Sequence, residues 1–327
     1  MDGICSGLIR NYDINVLGVK KFRGFYIIST DTGKYSLKKT ADSEPQLVFR
    51  LQLQNKLAGF GGFYMEKIYE TKEQKLFAEA EGVNYILTDY IEGTEADFDK
   101  KAHLGSIISS LAFFHEHSNV NGEIIRPAAE DMRKVAKRYY TELNDMKKKI
   151  DLSKGLSEFD MLFLRNCDYY MENTKICEEL LNEGNYEEKY EKAINGGYVC
   201  HNLLKRENLI VKGGEIWLAS FSACRLDYYT TDLAMLIERY IKYSKTKAVS
   251  VMDIVNKYSK YRKVEQEDCA IILAAILLPE SFLKIAKQYY LKKRSWVPTS
   301  IVAKMEEIVS TKATTLEYLR PLLEIVK

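Results

Sequence analysis

The chain has 327 residues, of which 46% are hydrophobic and 29% are charged, a balance typical of a folded globular protein and not of a disordered one. Its 48 basic and 46 acidic residues give a formal net charge of +2, so no strong positive field points to nucleic acid. Six scattered cysteines without a C-x-x-C pair indicate reduced thiols in a reducing compartment.

The sequence contains neither a secretory signal nor a membrane span that we recognise. Residues 1–6 lack the basic-then-apolar pattern of a signal peptide. The most apolar run, residues 270–279, falls short of the ~20 residues that a spanning helix needs. We therefore expect a chain that is made inside a cell, has no membrane partner, and buries 270–279 as a core helix.

Strand patterns and turn signals dominate the first hundred residues. Alternation predicts strands at 14–19, 24–30, 35–39, 63–69 and 84–90. Between the third and fourth strands, residues 46–57 predict a helix that Gly59 ends, with Leu47, Val48, Leu51 and Leu57 on one face. Residues 1–91 are therefore predicted to form a five-stranded sheet with one helix.

After Gly93 the helical period takes over. Residues 102–117 place a set of apolar side chains on one face: Leu104, Ile107, Ile108, Leu111 and Phe114. Long charged helices are predicted at 128–150 and 156–181, and helices resume at 231 and continue over most of 249–327. A strand-like segment at 198–217 interrupts the predicted helices and contains most of the motif that points to a chemical function.

That motif has the spacing of a kinase-type phosphotransferase site. Such sites use H-x-D-x-x-x-x-N, followed by a strand that ends in D-F-x. Here His201 and Asn208 are present, but Leu203 stands where the base should be, and Ser220 stands where the principal metal ligand should be. An aliphatic side chain cannot accept a proton, and Mg²⁺ sites rely on a carboxylate.

Other stretches complete the pattern. They are 12–14, 32–38 (Thr-Gly-Lys-Tyr-Ser-Leu-Lys), 87–93 (Leu-Thr-Asp-Tyr-Ile-Glu-Gly), 111–115, 278–282 and 288–290. Together with the motif they resemble the CotS-type spore coat proteins, a branch of the aminoglycoside phosphotransferase and choline kinase-like superfamily, over essentially the whole chain. The resemblance implies an α+β, bilobal, protein-kinase-like fold, with an N-lobe at 1–91 and a helical C-lobe at 92–327.

The resemblance also implies roles for individual residues. Lys38, in preference to Lys39, matches the lysine that contacts nucleotide phosphates. Asp89 and Tyr90 match the segment between the lobes that offers its backbone to the adenine ring. Asn208 matches the metal-ligand asparagine, His201 the structural histidine of the catalytic loop, and Asp232 a structural aspartate at a helix start. With no catalytic residue and no metal set intact, these nucleotide-binding positions are interpreted as vestigial.

Four further features of the sequence bear on the site. Residues 46–57 contain no acid to orient Lys38, and Glu44 is predicted to lie outside that helix. The turn at 20–24 has one glycine where kinases carry three. Asp227 lies seven residues after Ser220, on a loop expected to lead away from it. His115 and His117, two apart on a helix, point in different directions and do not predict a zinc site.

Three hypotheses remain open. The first is a catalytically inactive kinase-fold protein, a pseudokinase, that is synthesised in the mother-cell cytoplasm and joins other coat proteins as a binding or assembly component of the spore coat. The alternative is an ATP-dependent small-molecule phosphotransferase that acts on an alcohol group with a rewired site. Between them lies a protein that binds ATP, with or without Mg²⁺, or another small molecule, as a structural ligand in the cleft.

Overall fold

The computed structural model describes residues 3–60, 63–120, 127–150, 155–291 and 299–326. The chain divides into two compact units: Met1–Ala128 with Ile194–Asp227 (unit 1), and Ala129–Ala193 with Tyr228–Lys327 (unit 2). This division differs from the lobes predicted at 1–91 and 92–327, because unit 1 also takes up the first long helix and the segment with the site motif. The predicted lobe boundary stays a prediction.

Unit 1 contains all the strands among the described residues. They are β1 (Val16–Phe22), β2 (Phe25–Thr30), β3 (Lys34–Thr40), β4 (Tyr64–Met65), β5 (Ile68–Tyr69), β6 (Ala78–Ala80), β7 (Val83–Asp89), β8 (Thr94–Glu95), β9 (Val199–Cys200), β10 (Leu209–Lys212), β11 (Glu215–Leu218) and β12 (Arg225–Leu226). The main sheet is antiparallel in the order β1-β2-β3-β7-β5, with β6 also paired to β7. A second sheet has the order β4-β11-β10-β8, and β9 pairs with β12.

Three helices accompany these strands: α1 (Gly3–Ile9), α2 (Glu44–Ala58) and α3 (Lys101–His117). One sheet face packs on α1 through a core that includes Leu8, Ile28, Leu37 and Leu87. A smaller apolar cluster on α2 includes Leu47 and Ile86. The five apolar residues predicted on one face of α3 are all buried, as expected.

The structure corrects several predicted elements of unit 1. The single strand expected at 63–69 is two short strands, β4 and β5, that belong to different sheets. The buried face of α2 comprises Leu47, Phe49, Arg50, Leu53, Gln54 and Leu57, whereas Val48 and Leu51 are only partly buried. The helix α1 and the strand β6 were not predicted, since both are short and lack a strong periodic signal.

The described residues of unit 2 form helices joined by loops. The helices are α4 (Met132–Lys149), α5 (Glu158–Glu183), α6 (Tyr186–Asn195), α7 (Thr230–Tyr243), α8 (Val251–Ser259), α9 (Gln266–Leu277), α10 (Glu280–Tyr290), α11 (Thr299–Ser310) and α12 (Lys312–Val326). The last two residues of α6 fall in unit 1, because this part of unit 2 ends at Ala193. A core of α4, α5, α10 and α11 residues includes Phe159, Phe163, Phe282 and Met305. The helices predicted at 128–150 and 156–181 correspond to α4 and α5, but α4 begins only at Met132, and α6 was not predicted. Residues 292–298 and 327 of the predicted helical region lie outside the described residues.

One segment of the described chain, Gln266–Tyr290, is long and apolar enough to cross a membrane by length and composition. It consists of α9 and α10, separated at Leu278 and Pro279. Its apolar window is 67% buried, and the core helix of a globular protein passes the same test. The segment includes the buried helix that we predicted at 270–279. All six cysteines are free and buried, as expected for reduced thiols.

Candidate functional site

A buried carboxylate, Glu66, lies at the centre of the site in unit 1. Lys38 on β3 places its Nζ atom 2.5 Å from Glu66 Oε2. The backbone N–H of Ser220 donates to Glu66 Oε1 over 2.8 Å, and Arg50 Nη2 lies 3.8 Å from the same oxygen. The Glu66 side chain is 3% exposed. Two residues that the sequence predicted separately, Lys38 and Ser220, are therefore joined by one carboxylate.

Glu66 reaches this position because the chain changes sheets there. The pairing of β4 with β11 extends to the N–H of Glu66, which donates to the carbonyl of Leu218 over 3.2 Å. The next N–H, of Lys67, donates to the Asp89 carboxylate, and that of Ile68 donates to Gln54 Oε1. The split strand therefore presents Glu66 at the crossing between the two sheets.

The surrounding charges keep Glu66 ionised. Burial by itself would raise the pKa of this carboxyl group. The cations of Lys38 and Arg50, together with the Ser220 N–H, outweigh that effect and hold the pKa of Glu66 below its ordinary value. Arg50 is itself buried and donates through Nη1 to Asp42 Oδ2 over 2.5 Å. The result is a four-residue chain of alternating charge, Lys38–Glu66–Arg50–Asp42.

The prediction that Lys38 lacks an acidic partner is wrong. The sequence argument searched only the helix after β3, whereas the partner comes from the segment after β4. The same argument placed Glu44 outside that helix, but α2 begins at Glu44, which is exposed on its first turn. The buried charge on α2 is Arg50, so the helix supplies the cation and the strand segment supplies the anion. Lys39 is exposed, consistent with the choice of Lys38.

His201 is fully buried at the start of the predicted catalytic loop. The N–H of Leu203 donates to its Nδ1 over 3.3 Å, so Nδ1 is the acceptor and the ring proton lies on Nε2. Nε2 then donates to the carbonyl of Ala219 over 3.2 Å. This ring therefore links the loop to the end of β11, the geometry that a structural histidine requires.

Asn208 and the backbone of Leu203 hold the same loop. The Asn208 side-chain amide donates to the backbone carbonyl of Leu203 over 2.9 Å, and the backbone carbonyl of Asn208 accepts from the N–H of Ala219. The Leu203 side chain is partly buried and contributes no polar atom. The loop frame does not depend on which side chain stands at position 203.

Ser220 adopts a left-handed backbone conformation, with φ +62° and ψ +68°. This conformation is uncommon for residues other than glycine, asparagine and aspartate. Its N–H is occupied by Glu66, and its half-buried hydroxyl stands at the position of the expected metal ligand. Asp227 follows β12, where its N–H donates to the carbonyl of Tyr198 and its side chain is buried.

Asp89 is the last residue of β7 and Tyr90 follows it, and the N–H groups of both are already bonded inside unit 1. The Asp89 N–H donates to Lys67 O, and the Tyr90 N–H donates to Lys34 O over 3.0 Å. The Asp89 carboxylate accepts from the Lys67 N–H and from the Tyr69 hydroxyl. Burial and this carboxylate both raise the pKa of Tyr69. These two residues therefore have only carbonyl oxygens to offer an adenine ring.

Two other predicted features are the turn at 20–24 and Asp232. The turn at 20–24 is a two-residue hairpin formed by Arg23 (φ +44°) and Gly24 (φ +89°), in which Lys20 and Lys21 belong to β1. Arg23 pairs with Glu95 at 3.5 Å on the surface of unit 1. Asp232 belongs to unit 2, fully buried in the first turn of α7.

The residues at the two predicted metal positions do not fit Mg²⁺. Mg²⁺ takes octahedral oxygen ligands, normally with at least one carboxylate. Asn208 and Ser220 supply a neutral amide oxygen and a neutral hydroxyl. The nearby Glu66 carboxylate is committed to Lys38 and Arg50. The roles of these positions toward a nucleotide stay predictions.

Comparison with known proteins identifies the family. The model of the family described as "Spore coat putative kinase YutH" matches residues 6–322. The chain belongs to this family. The match agrees with the predicted resemblance to CotS-type coat proteins, since it links a spore coat family with a kinase over nearly the whole chain.

Three solved structures that share this fold are a phosphotransferase and two kinases. An aminoglycoside phosphotransferase from Alicyclobacillus acidocaldarius superposes with a TM-score of 0.82 at 16% identity, covering 98% of this chain and 96% of that one. Amicoumacin kinase hAmiN, in complex with AMP-PNP, Ca²⁺ and Ami, has a TM-score of 0.61 at 12% identity (95% and 94% covered). Choline kinase from Cryptosporidium parvum has 0.61 at 14% (98% and 97% covered). The predicted α+β, protein-kinase-like fold class is confirmed.

The sequence argument missed Glu66, Arg50 and Asp42. One signal was available for each of the first two: Glu66 interrupts a predicted strand, and Arg50 falls among the apolar residues of a predicted helix. A charge at a position that the pattern assigns to the interior needs a partner, because an unpaired buried charge is costly. Asp42 carries no such signal, since it lies in a polar loop.

Proposed function

We propose that this protein is a catalytically inactive member of its spore coat kinase family, which serves as a binding or assembly component of the coat. The observation that carries the proposal is the pair of side chains at positions 203 and 220. Leu203 cannot act as a base, and Ser220 cannot supply the negative charge that a phosphate-bound metal ion needs. Losing either acid typically costs several orders of magnitude in turnover.

The intact frame around these positions supports a binding role. Leu203 is held through its N–H and carbonyl, and Ser220 through its N–H. None of these contacts uses the side chain at position 203 or at position 220. The loop and the Lys38–Glu66 pair are therefore built independently of the missing acids, as expected of a scaffold that presents a surface or holds a ligand.

A second candidate is an ATP-dependent phosphotransferase that acts on an alcohol group. It needs a carboxylate from elsewhere near position 220, and Glu66 Oε1 accepts from the Ser220 N–H over 2.8 Å. For Glu66 to bind a metal ion, it would have to exchange Lys38 or Arg50 for that ion. A third candidate, ATP as a structural ligand, needs only Lys38 and the Asp89 and Tyr90 carbonyls, and it would stabilise the protein by mass action.

Thermal-shift titration with ATP, in the presence and absence of Mg²⁺, separates the three. The control is the double variant Leu203→Asp/Ser220→Asp, in which aspartate tolerates the left-handed backbone at position 220. We expect no shift in the wild type and a Mg²⁺-dependent shift in the double variant. A metal-dependent shift in the wild type that Glu66→Gln abolishes would refute inactivity by metal loss and favour the second candidate. A metal-independent shift would favour the third.

The coat role is tested apart from the cleft. We propose that the chain is synthesised in the mother cell and retained in the coat by contacts with other coat proteins, without nucleic acid or membrane. Immunoblots of decoated and intact spores should find it in the coat extract. Chemical cross-linking of intact spores should join it to other coat proteins. Its presence only in the core or membrane fraction would exclude this role.

A further inference from the structure

Unit 2 contains a cavity of about 380 Å³ that the proposed function does not use. Its walls come from α5, α7, the turn between α9 and α10, and the junction of α11 and α12. The volume lies within the range of small-molecule sites, roughly 300–1,000 Å³. All of its lining residues belong to unit 2, so the cavity is complete within that unit.

Three polar side chains on the wall lack hydrogen-bond partners in the described chain. Asn173 is 6% exposed, and its amide makes no hydrogen bond to any described residue. The Nε atom of Arg239 is buried without a partner, and the described residues offer this guanidinium no ion pair. The Glu238 carboxyl likewise has no hydrogen bond within the described part, and burial raises its pKa.

Buried donors without a partner are rare in folded proteins, because leaving one unpaired costs free energy. The Nε atom of Arg239 is such a donor. Glu238 beside it on α7 and Asn173 on α5 face the same cavity, so one ligand can satisfy Arg239 and bond to the other two.

The charge on the wall indicates the sign of that ligand. Four cations line the cavity, Arg239, Lys242, Lys247 and Lys312, against two anions, Glu238 and Glu307. Lys242 and Glu307 form a pair at 3.1 Å, and Lys312 lies over the ring of Tyr169. Arg239 has no ion pair and no ring contact among the described residues, although its charge acts on the neighbouring Glu238 carboxyl. Its planar fork suits a carboxylate or a phosphate.

The rest of the wall is apolar and aromatic. Tyr170 stacks on Phe282 with ring centroids 4.1 Å apart, and Leu278 and Leu316 extend this surface. An inorganic anion would leave that area without contact, whereas an anion with an apolar or aromatic body would cover it.

We propose that this cavity is a binding site for a small organic anion, in which Arg239 holds a carboxylate or phosphate group, Asn173 hydrogen-bonds a neighbouring polar atom, and the aromatic wall holds the body of the ligand. The site lies within unit 2 and does not depend on the proposed function. Its test does not require activity.

Isothermal titration calorimetry of the full-length protein is the direct test, with phenyl phosphate and 3-phenyllactate as probes of the two anionic groups and 2-phenylethanol as the neutral control. We expect at least one anion to bind at concentrations up to about 5 mM and the alcohol to bind more weakly. Arg239→Gln should weaken that binding at least ~10-fold, since hydrogen bonds to charged groups are the stronger ones. Lys284→Gln removes an exposed cation of α10 outside the cavity and should have no effect.

The stability of the unliganded protein gives a second, independent readout. If Arg239 is kept for a ligand, Arg239→Met removes an unsatisfied buried donor, so it should leave the melting temperature unchanged or raise it while abolishing anion binding. If Arg239 were structural, the same change would lower the melting temperature. Failure of both anions to bind the wild type, or equal effects of Arg239→Gln and Lys284→Gln, would overturn the proposal.

Discussion

Glu66→Gln is the change that most directly tests how unit 1 is held together. The amide keeps the size of the side chain and an oxygen that can accept the Ser220 N–H, but it removes the negative charge between Lys38 and Arg50. Arg50 retains Asp42, whereas Lys38 has no second carboxylate among the described residues. The variant therefore isolates the charge of Glu66.

The expected cost follows from burial. Removing one partner of a fully buried ion pair typically costs about 3–5 kcal/mol, because the remaining charge stays buried. Lys38 is 28% exposed and can turn toward water, and Arg50 keeps one partner, so the cost should fall to roughly 2–3 kcal/mol. The matched control is Glu92→Gln, which breaks the exposed pair with Lys34 and should leave the stability nearly unchanged, because exposed ion pairs contribute little.

Urea denaturation followed by tryptophan fluorescence measures both variants. The chain has two tryptophans, and in a Trp296→Phe background the signal comes from Trp217 of β11, which stacks on Tyr64 in unit 1. Because the pKa of Glu66 is lowered by folding, its contribution to stability is present above the unfolded value near 4.5 and is lost as pH falls through the lower folded value. The decline below about pH 4.5 should be shallower in Glu66→Gln. If Glu66→Gln costs no more than Glu92→Gln, the buried charge chain is not what stabilises this unit.

Three further experiments test other parts of the structure. Asp268→Asn should destabilise the protein by roughly 3 kcal/mol or more, measured by calorimetry, because the Asp268 carboxylate accepts from Lys189, Tyr228 and Tyr229. The control Glu188→Gln, on the surface, should be near neutral, and equal melting temperatures of the two variants would contradict this prediction. Gly93→Ala should lower the melting temperature, because the added Cβ would lie 2.4 Å from the Val211 carbonyl oxygen. In the control Gly7→Ala on α1, the added Cβ meets nothing within 4 Å, so the melting temperature should not fall. A larger loss in Gly7→Ala than in Gly93→Ala would show that the backbone around β8 shifts to accommodate the Cβ. The cysteines should react with a thiol reagent only after urea is added, since all six are buried and burial raises the pKa of Cys167 and Cys177 to about 12. Stoichiometric labelling of the folded protein would contradict the burial of the six thiols.

The sequence was sufficient for the fold class because its signals are long and periodic. The apolar face of α3, from Leu104 to Phe114, repeats over about three turns. The strands of the main sheet alternate in hydrophobicity and are bounded by turn signals, so each of these elements could be located without its neighbours. The short elements failed for the opposite reason. β4 and β5 have two residues each, too few for a period, and only pairing with different sheets separates them.

The site was predictable at the positions that a motif fixes, and not where a partner comes from another segment. The spacing of His201, Leu203 and Asn208 places them on one loop whatever the rest of the chain does. The partner of Lys38 lies 28 residues away on a segment with no recognised motif, and sequence distance carries no information on such a contact. The prediction searched for a glutamate on one helix, where the structure instead has an arginine, Arg50. The acidic partner of Lys38 is Glu66, from the segment after β4.

These contacts bear on how the absence of an acid at positions 203 and 220 should be interpreted. In unit 1 the frame is closed by backbone contacts at positions 203 and 220 and by the Lys38–Glu66–Arg50–Asp42 chain, so neither the Leu203 nor the Ser220 side chain is needed to hold it. Restoring two aspartates should therefore change the chemistry of the site in unit 1 without loosening its frame. For the same reason, the residues at positions 203 and 220 do not by themselves indicate a disordered site. A site can lose its catalytic acids and stay built, and ligand binding, with or without metal, is the property that separates a retained scaffold from a rewired enzyme.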